Sequence, residues 1–72
     1  MTFSAMTIRV NDQPRRVADG ATLFDLLREL ALAESRGVAV AINDTVIPRA
    51  GWSARALVEA DRVLVIQATQ GG

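Results

Sequence analysis

The stretch "ATLFDLLREL", residues 21–30, decides how the rest of the chain must be arranged. Leu23, Leu26, Leu27 and Leu30 recur at i, i+3, i+4 and i+7, which makes one apolar stripe on a helix. Thr22 stands at the N-cap position with Asp25 three residues on, an approximate capping box. The spacing predicts a helix from Leu23 to about Ala33, with Gly37 as a stop signal a few residues past Leu32. A lone helix cannot bury such a stripe, so it must lie across one face of a sheet.

The flanking sequence supplies that sheet. Met6-Thr7-Ile8-Arg9-Val10 alternates apolar and polar, the pattern of a half-buried strand. Asn11-Asp12-Gln13 is turn chemistry, and Pro14 to Val17 reads as a second strand closing a hairpin. Beyond the helix, Val38 to Ile42 is a third strand that alternates large and small residues. Asn43-Asp44 turns the chain, and Thr45 to Ile47 is a brief fourth strand stopped by Pro48. "RAGWSARALVEAD" is irregular or holds a single helical turn, and Arg62 to Ala68 is the last strand. The crossover through the helix is long enough for parallel pairing. The result is an α+β domain of the β-grasp, or ubiquitin-like, layout: a mixed sheet of four to five strands with one helix packed across one face. Met6, Ile8, Val10, Val17, Leu23, Leu26, Leu27, Leu30, Val40, Ile42, Val63 and Val65 are the expected core.

Composition limits the function. A chain of 72 residues is one small domain that buries only about 60% of its unfolded surface, too little for a deep pocket besides a core. Eight basic and eight acidic residues cancel, and no basic stripe or stacking aromatic cluster suggests nucleic acid. No apolar run approaches the ~20 residues of a membrane span. Cysteine and histidine are both absent, which removes thiolate chemistry, the commonest general base and the commonest metal ligands. Asp19, Asp25 and Glu29 show no paired-acid spacing, and Asp44, Glu59 and Asp61 read as turn and surface groups. The expectation is a protein that is not itself an enzyme, in a cytoplasmic setting.

The end of the chain, "QATQGG", is then the feature left to explain. Glycine adds nothing to a core and is costly to order. Placed after the last strand, Gly71-Gly72 resembles the tail of the ubiquitin-like sulfur carriers. The segment "AINDTVIPRAGW" narrows the resemblance to the thiamine-biosynthesis sulfur carriers, the ThiS family, through Ala41-Ile42-Asn43, Ile47-Pro48-Arg49 and Trp52. Val10-Asn11-Asp12 and Ala21 to Leu27 are also similar to that family, and the likeness runs from Met6 to Gly72. Residues 1–5 would be a flexible extension, 6–68 the β-grasp domain and 69–72 a flexible tail.

The resemblance implies a cycle carried by Gly72. An E1-like, ThiF-like adenylating enzyme joins its carboxylate to AMP, using ATP and magnesium that belong to the enzyme. No cofactor is held by the carrier itself. A persulfide from a sulfur donor such as a cysteine desulfurase then displaces AMP and leaves a thiocarboxylate. A ThiG-like thiazole synthase accepts the sulfur. Gly71, Gln70 and Thr69 would give access, since any Cβ at the glycines would collide in a narrow site. Ubiquitin-like spacing points Val63 and Val65 inward and leaves Leu64 and Ile66 outward above Ala39 and Ala41. With Ala68 they form the expected docking surface, for which the two enzymes would compete; a homodimer is the other way to cover it. Trp52 would cap the apolar edge of the sheet, with Arg49 solvated. A molybdopterin-synthase small subunit, a ubiquitin-like protein modifier and a plain interaction domain are the alternative readings.

Overall fold

A computed structural model describes residues 5–68, and the elements run strand, strand, helix, strand, strand, short helix, strand. Strands β1 (Ala5–Val10) and β2 (Gln13–Ala18) form the first hairpin; Ala5 pairs with Ala18, so it belongs to the strand rather than to an extension. Strands β3 (Val38–Ile42) and β4 (Thr45–Val46) form the second hairpin. Each hairpin turns on an Asn-Asp pair with both φ angles positive: Asn11 at 51° and Asp12 at 67°, Asn43 at 50° and Asp44 at 72°. Left-handed backbone at both central residues matches the twist of the flanking strands, and Asn and Asp tolerate it best after glycine.

Strand β5 (Arg62–Gln67) lies between the hairpins, giving the order β2-β1-β5-β3-β4. It runs parallel to β1, with Val10 beside Val63, and antiparallel to β3, with Val40 beside Val65. This is the expected β-grasp with five strands. The parallel pair joins the first and last strands, while β3, directly after the helix, is antiparallel to its neighbour.

Helix α1 (Leu23–Glu29) begins as the capping box requires: the Asp25 N–H donates to Thr22 Oγ1 at 3.2 Å and the Thr22 N–H to Asp25 Oδ2 at 3.0 Å. It ends sooner than expected. Ala31 adopts φ of 62°, the Leu32 N–H reaches the Leu27 carbonyl at 2.8 Å, and the Ala31 N–H reaches that of Arg28 at 3.0 Å. These are the two bonds of a Schellman stop, built on an alanine instead of a glycine. Gly37 is therefore not the helix terminator.

Leu23, Leu26 and Leu27 are buried against Met6, Ile8, Val17, Val40, Ile42 and Val63, and Val10, Leu30 and Val65 pack half-buried at the margin. Ala33, Trp52 and Leu57 join this core unexpectedly. Trp52, on the short 3-10 helix Arg49–Ala54, is 1% exposed; it sits inside rather than capping an edge, and its indole N–H donates to the Ile47 carbonyl at 3.0 Å. Arg49 is not simply solvated either. Its guanidinium lies 4.5 Å from the centre of the Trp52 ring and donates to the carbonyls of Ala33 and Ser35. It thus ties the 3-10 helix to the segment following α1.

Candidate functional site

Side chains alternate along a strand, so each face of the sheet can be read from the register. Met6, Ile8, Val40, Ile42 and Val63 face the helix. On the opposite face, Ile66 stands beside Ala39, Leu64 beside Ala41, and Ala41 beside Val46. Leu64 is 49% exposed, Ile66 56% and Val46 70%. The alanines beneath are too small to shield them, so the β4-β3-β5 half of the face is an open apolar patch. A contiguous patch of this kind marks an interaction site. Across it, Arg9 pairs in register with Arg62, whose guanidinium lies 3.3 Å from the Asp44 carboxylate. The patch therefore has an apolar centre and a charged margin, the division found in docking surfaces.

Strand β5 is pinned on both sides. The pairing with β1 ends at Val63, but the Asn11 side chain extends it: its Oδ1 accepts from the Val65 N–H at 2.8 Å and its Nδ2 donates to the Val65 carbonyl at 3.2 Å. On the β3 side, pairing runs to Val38 beside Gln67, and the Ala68 N–H then donates to the Gly37 carbonyl at 2.8 Å. At the start of β5, Asp61 is not a surface group. It is 2% exposed, accepts from Asn43 Nδ2 and the Val58 N–H, both at 2.9 Å, and lies 3.6 Å from the Arg55 guanidinium.

Chemistry on the domain body is sparse. Among the described residues no group of three acidic residues could hold a metal ion, and no helix is long and apolar enough to cross a membrane. The perturbed carboxyl, Asp25, belongs to the helix cap: the Thr22 N–H bond holds it below its ordinary value, helped by the Thr22 hydroxyl and Arg28 against the opposing cost of desolvation.

The structure brings Leu64 and Ile66 together on the outer face and leaves Ala68 exposed just past β5. Thr69, Gln70, Gly71 and Gly72 lie outside the described residues. Sequence reasoning missed Val46, Asn11 and Gly37. Val46 was legible as an apolar residue on a short edge strand. The roles of Asn11 and Gly37 depend on contacts with residues far along the chain and left no local signal.

The ThiS family model matches residues 8–72 of the chain. The sulfur carrier protein ThiS of Escherichia coli is 36% identical over 67 residues, covering 93% of this chain and all of that protein. The crystal structure of a thiamine biosynthesis protein (ThiS) from Geobacter metallireducens superposes with a TM-score of 0.77 at 29% identity, covering 93% of this chain and 100% of that one. SAMP1 from Haloferax volcanii shares the fold, with a TM-score of 0.57 at 18% identity over 96% of this chain and 100% of that one.

Proposed function

The chain belongs to the ThiS family, and from that premise we propose that it is a sulfur carrier of thiamine biosynthesis whose reactive group is the Gly72 carboxylate. The observation that carries this reading is the extent of the family match, which runs through Gly71 and Gly72. A body without cysteine or histidine supports it, because a carrier whose chain end reacts needs neither.

A carboxylate is a poor electrophile until one oxygen becomes part of a leaving group. Attack of the Gly72 carboxylate on the α-phosphate of ATP, at an E1-like adenylating enzyme, forms the acyl-adenylate and releases pyrophosphate. A persulfide sulfur then attacks the acyl carbon and expels AMP, giving an acyl disulfide. A thiol cleaves its S–S bond, becoming a disulfide itself and leaving the thiocarboxylate. Thiazole synthase takes that sulfur. The carrier's part is delivery: the patch of Leu64 and Ile66 docks on each enzyme while Thr69 to Gly72 enters its channel. Ordering those four residues costs about 4–8 kcal/mol. Burying the exposed half of the two apolar side chains contributes about 0.7–1.5 kcal/mol each, so docking offsets part of the cost.

Intact-mass measurement after co-expression with the adenylating enzyme tests the reading. The expected result is a gain equal to exchanging one oxygen for sulfur, absent when Gly72 is deleted. Native-rate thiocarboxylate formation by the Gly72-deleted chain would overturn it. Thiamine auxotrophy on loss of the gene separates this role from delivery to a pterin or to a lysine.

A further inference from the structure

We propose that Gly37 is a positioning residue for the reactive tail, a role that rests on the sulfur-carrier reading. Two constraints meet at this one position. Its φ is +73°, a left-handed conformation that residues with a Cβ rarely adopt. A Cβ placed there would also stand 3.3 Å from the Ala68 Cβ and 3.4 Å from the Ala68 carbonyl oxygen. Helix termination does not explain the glycine, because Ala31 performs it. What the glycine permits is close approach of its own carbonyl to the Ala68 N–H, at 2.8 Å.

Ala68 is the last residue before Thr69-Gln70-Gly71-Gly72. On the β1 side, Asn11 holds the strand at Val65, and on the β3 side the Gly37 carbonyl holds it at Ala68. That bond fixes the point from which the tail is measured. The segment after it spans at most roughly 13–14 Å, and each further residue released adds roughly 3.3–3.6 Å of slack. Slack must be ordered again each time the carboxylate is presented. Leu64 and Ile66 are held separately, by their pairing with Ala41 and Ala39 of β3. Loosening Ala68 therefore spares encounter with the enzyme and slows the step after it.

The test uses the full chain, its adenylating enzyme and a persulfide source, with thiocarboxylate followed by intact mass and exchange of the Ala68 amide followed separately. For Gly37→Ala the expected result is about tenfold faster exchange at Ala68, together with a kcat lower by about three- to tenfold and a KM for the carrier within about twofold of wild type. Adding Ala68→Gly to that chain relieves the Cβ contact but not the left-handed strain, and restores part of the turnover. Ala68→Pro removes the donor with Gly37 intact and lowers kcat in the same way, which keeps the test sound should Gly37→Ala fail to fold. Faster exchange with wild-type kcat, or a loss confined to KM, would overturn the proposal. A wild-type chain that never gains sulfur overturns the carrier reading instead, and the two failures are distinguishable because exchange at Ala68 is read without the enzyme.

Discussion

Asn43 and Asp61 meet at 2.9 Å, Nδ2 to Oδ1, and together they start the last strand. The same Asn43 accepts the Arg62 N–H on its Oδ1 at 3.0 Å, while Asp61 accepts the Val58 N–H on its other oxygen at 2.9 Å. Both oxygens of Asp61 therefore face donors. Asp61→Ala leaves those part-buried donors without their acceptor, a loss of about 1–3 kcal/mol. Asp61→Asn offers little rescue, because its amide nitrogen confronts a donor in either orientation. Urea midpoints of the two variants, compared at equal slope, check this; full stability in Asp61→Asn would contradict it.

Ala31 carries a left-handed backbone that costs an alanine about 1–2 kcal/mol. Replacing it with glycine removes that cost but gives the unfolded chain more freedom, which returns about 0.4–1 kcal/mol. Ala31→Gly should thus raise stability by about 0.8 kcal/mol, the difference of the two mid-range values. An upward shift of the urea midpoint is the expected observation. An unchanged or lower midpoint would mean the helix stop is not held as described.

Asp25 gives the helix start a pH dependence. Its folded pKa lies below the ordinary 3.8, so the carboxylate contributes stability above that value. The contribution is lost as pH falls through 3.8 toward the folded value, when the proton competes with the Thr22 N–H. The stability difference between wild type and Asp25→Asn should therefore shrink below about pH 4. Thermal unfolding across that range checks it, and a difference undiminished in acid would point away from the cap.

The apolar patch makes a separate prediction. Leu64→Asp and Ile66→Asp sit on half-exposed positions, so the domain should keep its fold and lose no more than about 1 kcal/mol of stability. Affinity for both the adenylating enzyme and the thiazole synthase should fall by tenfold or more, since each change removes about 0.7–1.5 kcal/mol of burial and places a carboxylate where water is excluded. Calorimetry with each enzyme reads this directly. Unchanged affinity for both, in folded variants, would move the docking site elsewhere.

Much of this was legible because periodicity is local. The Leu23–Leu30 stripe, the Met6–Val10 alternation and the two Asn-Asp turns each state their structure within a few residues. The period of two separates Leu64 and Ile66 from Val63 and Val65, and the ubiquitin-like resemblance chose which pair faces outward. Trp52, Asp61 and Gly37 were not legible, and for one shared reason. Their roles are set by residues distant in sequence: Trp52 fills space beneath α1, Asp61 answers Asn43, and Gly37 answers Ala68. Ala31 misled for the opposite reason, since alanine favours helix interiors and nothing nearby announces that it ends one.

The strand that leads to the tail is the last to be made, yet it lies between β1 and β3. A growing polypeptide therefore reaches Asp61 with two separate hairpins, each marginal alone in water, and a helix whose leucines have no complete sheet to cover them. Only when Arg62 to Gln67 emerge do the halves join, through contacts that link Val10 to Val63. A product broken off before that point is not a carrier missing its working end but an open chain, exposed to proteases and chaperones. Translation is in effect proofread by folding: a copy that folds has been read through at least to the residues from which the glycine tail extends.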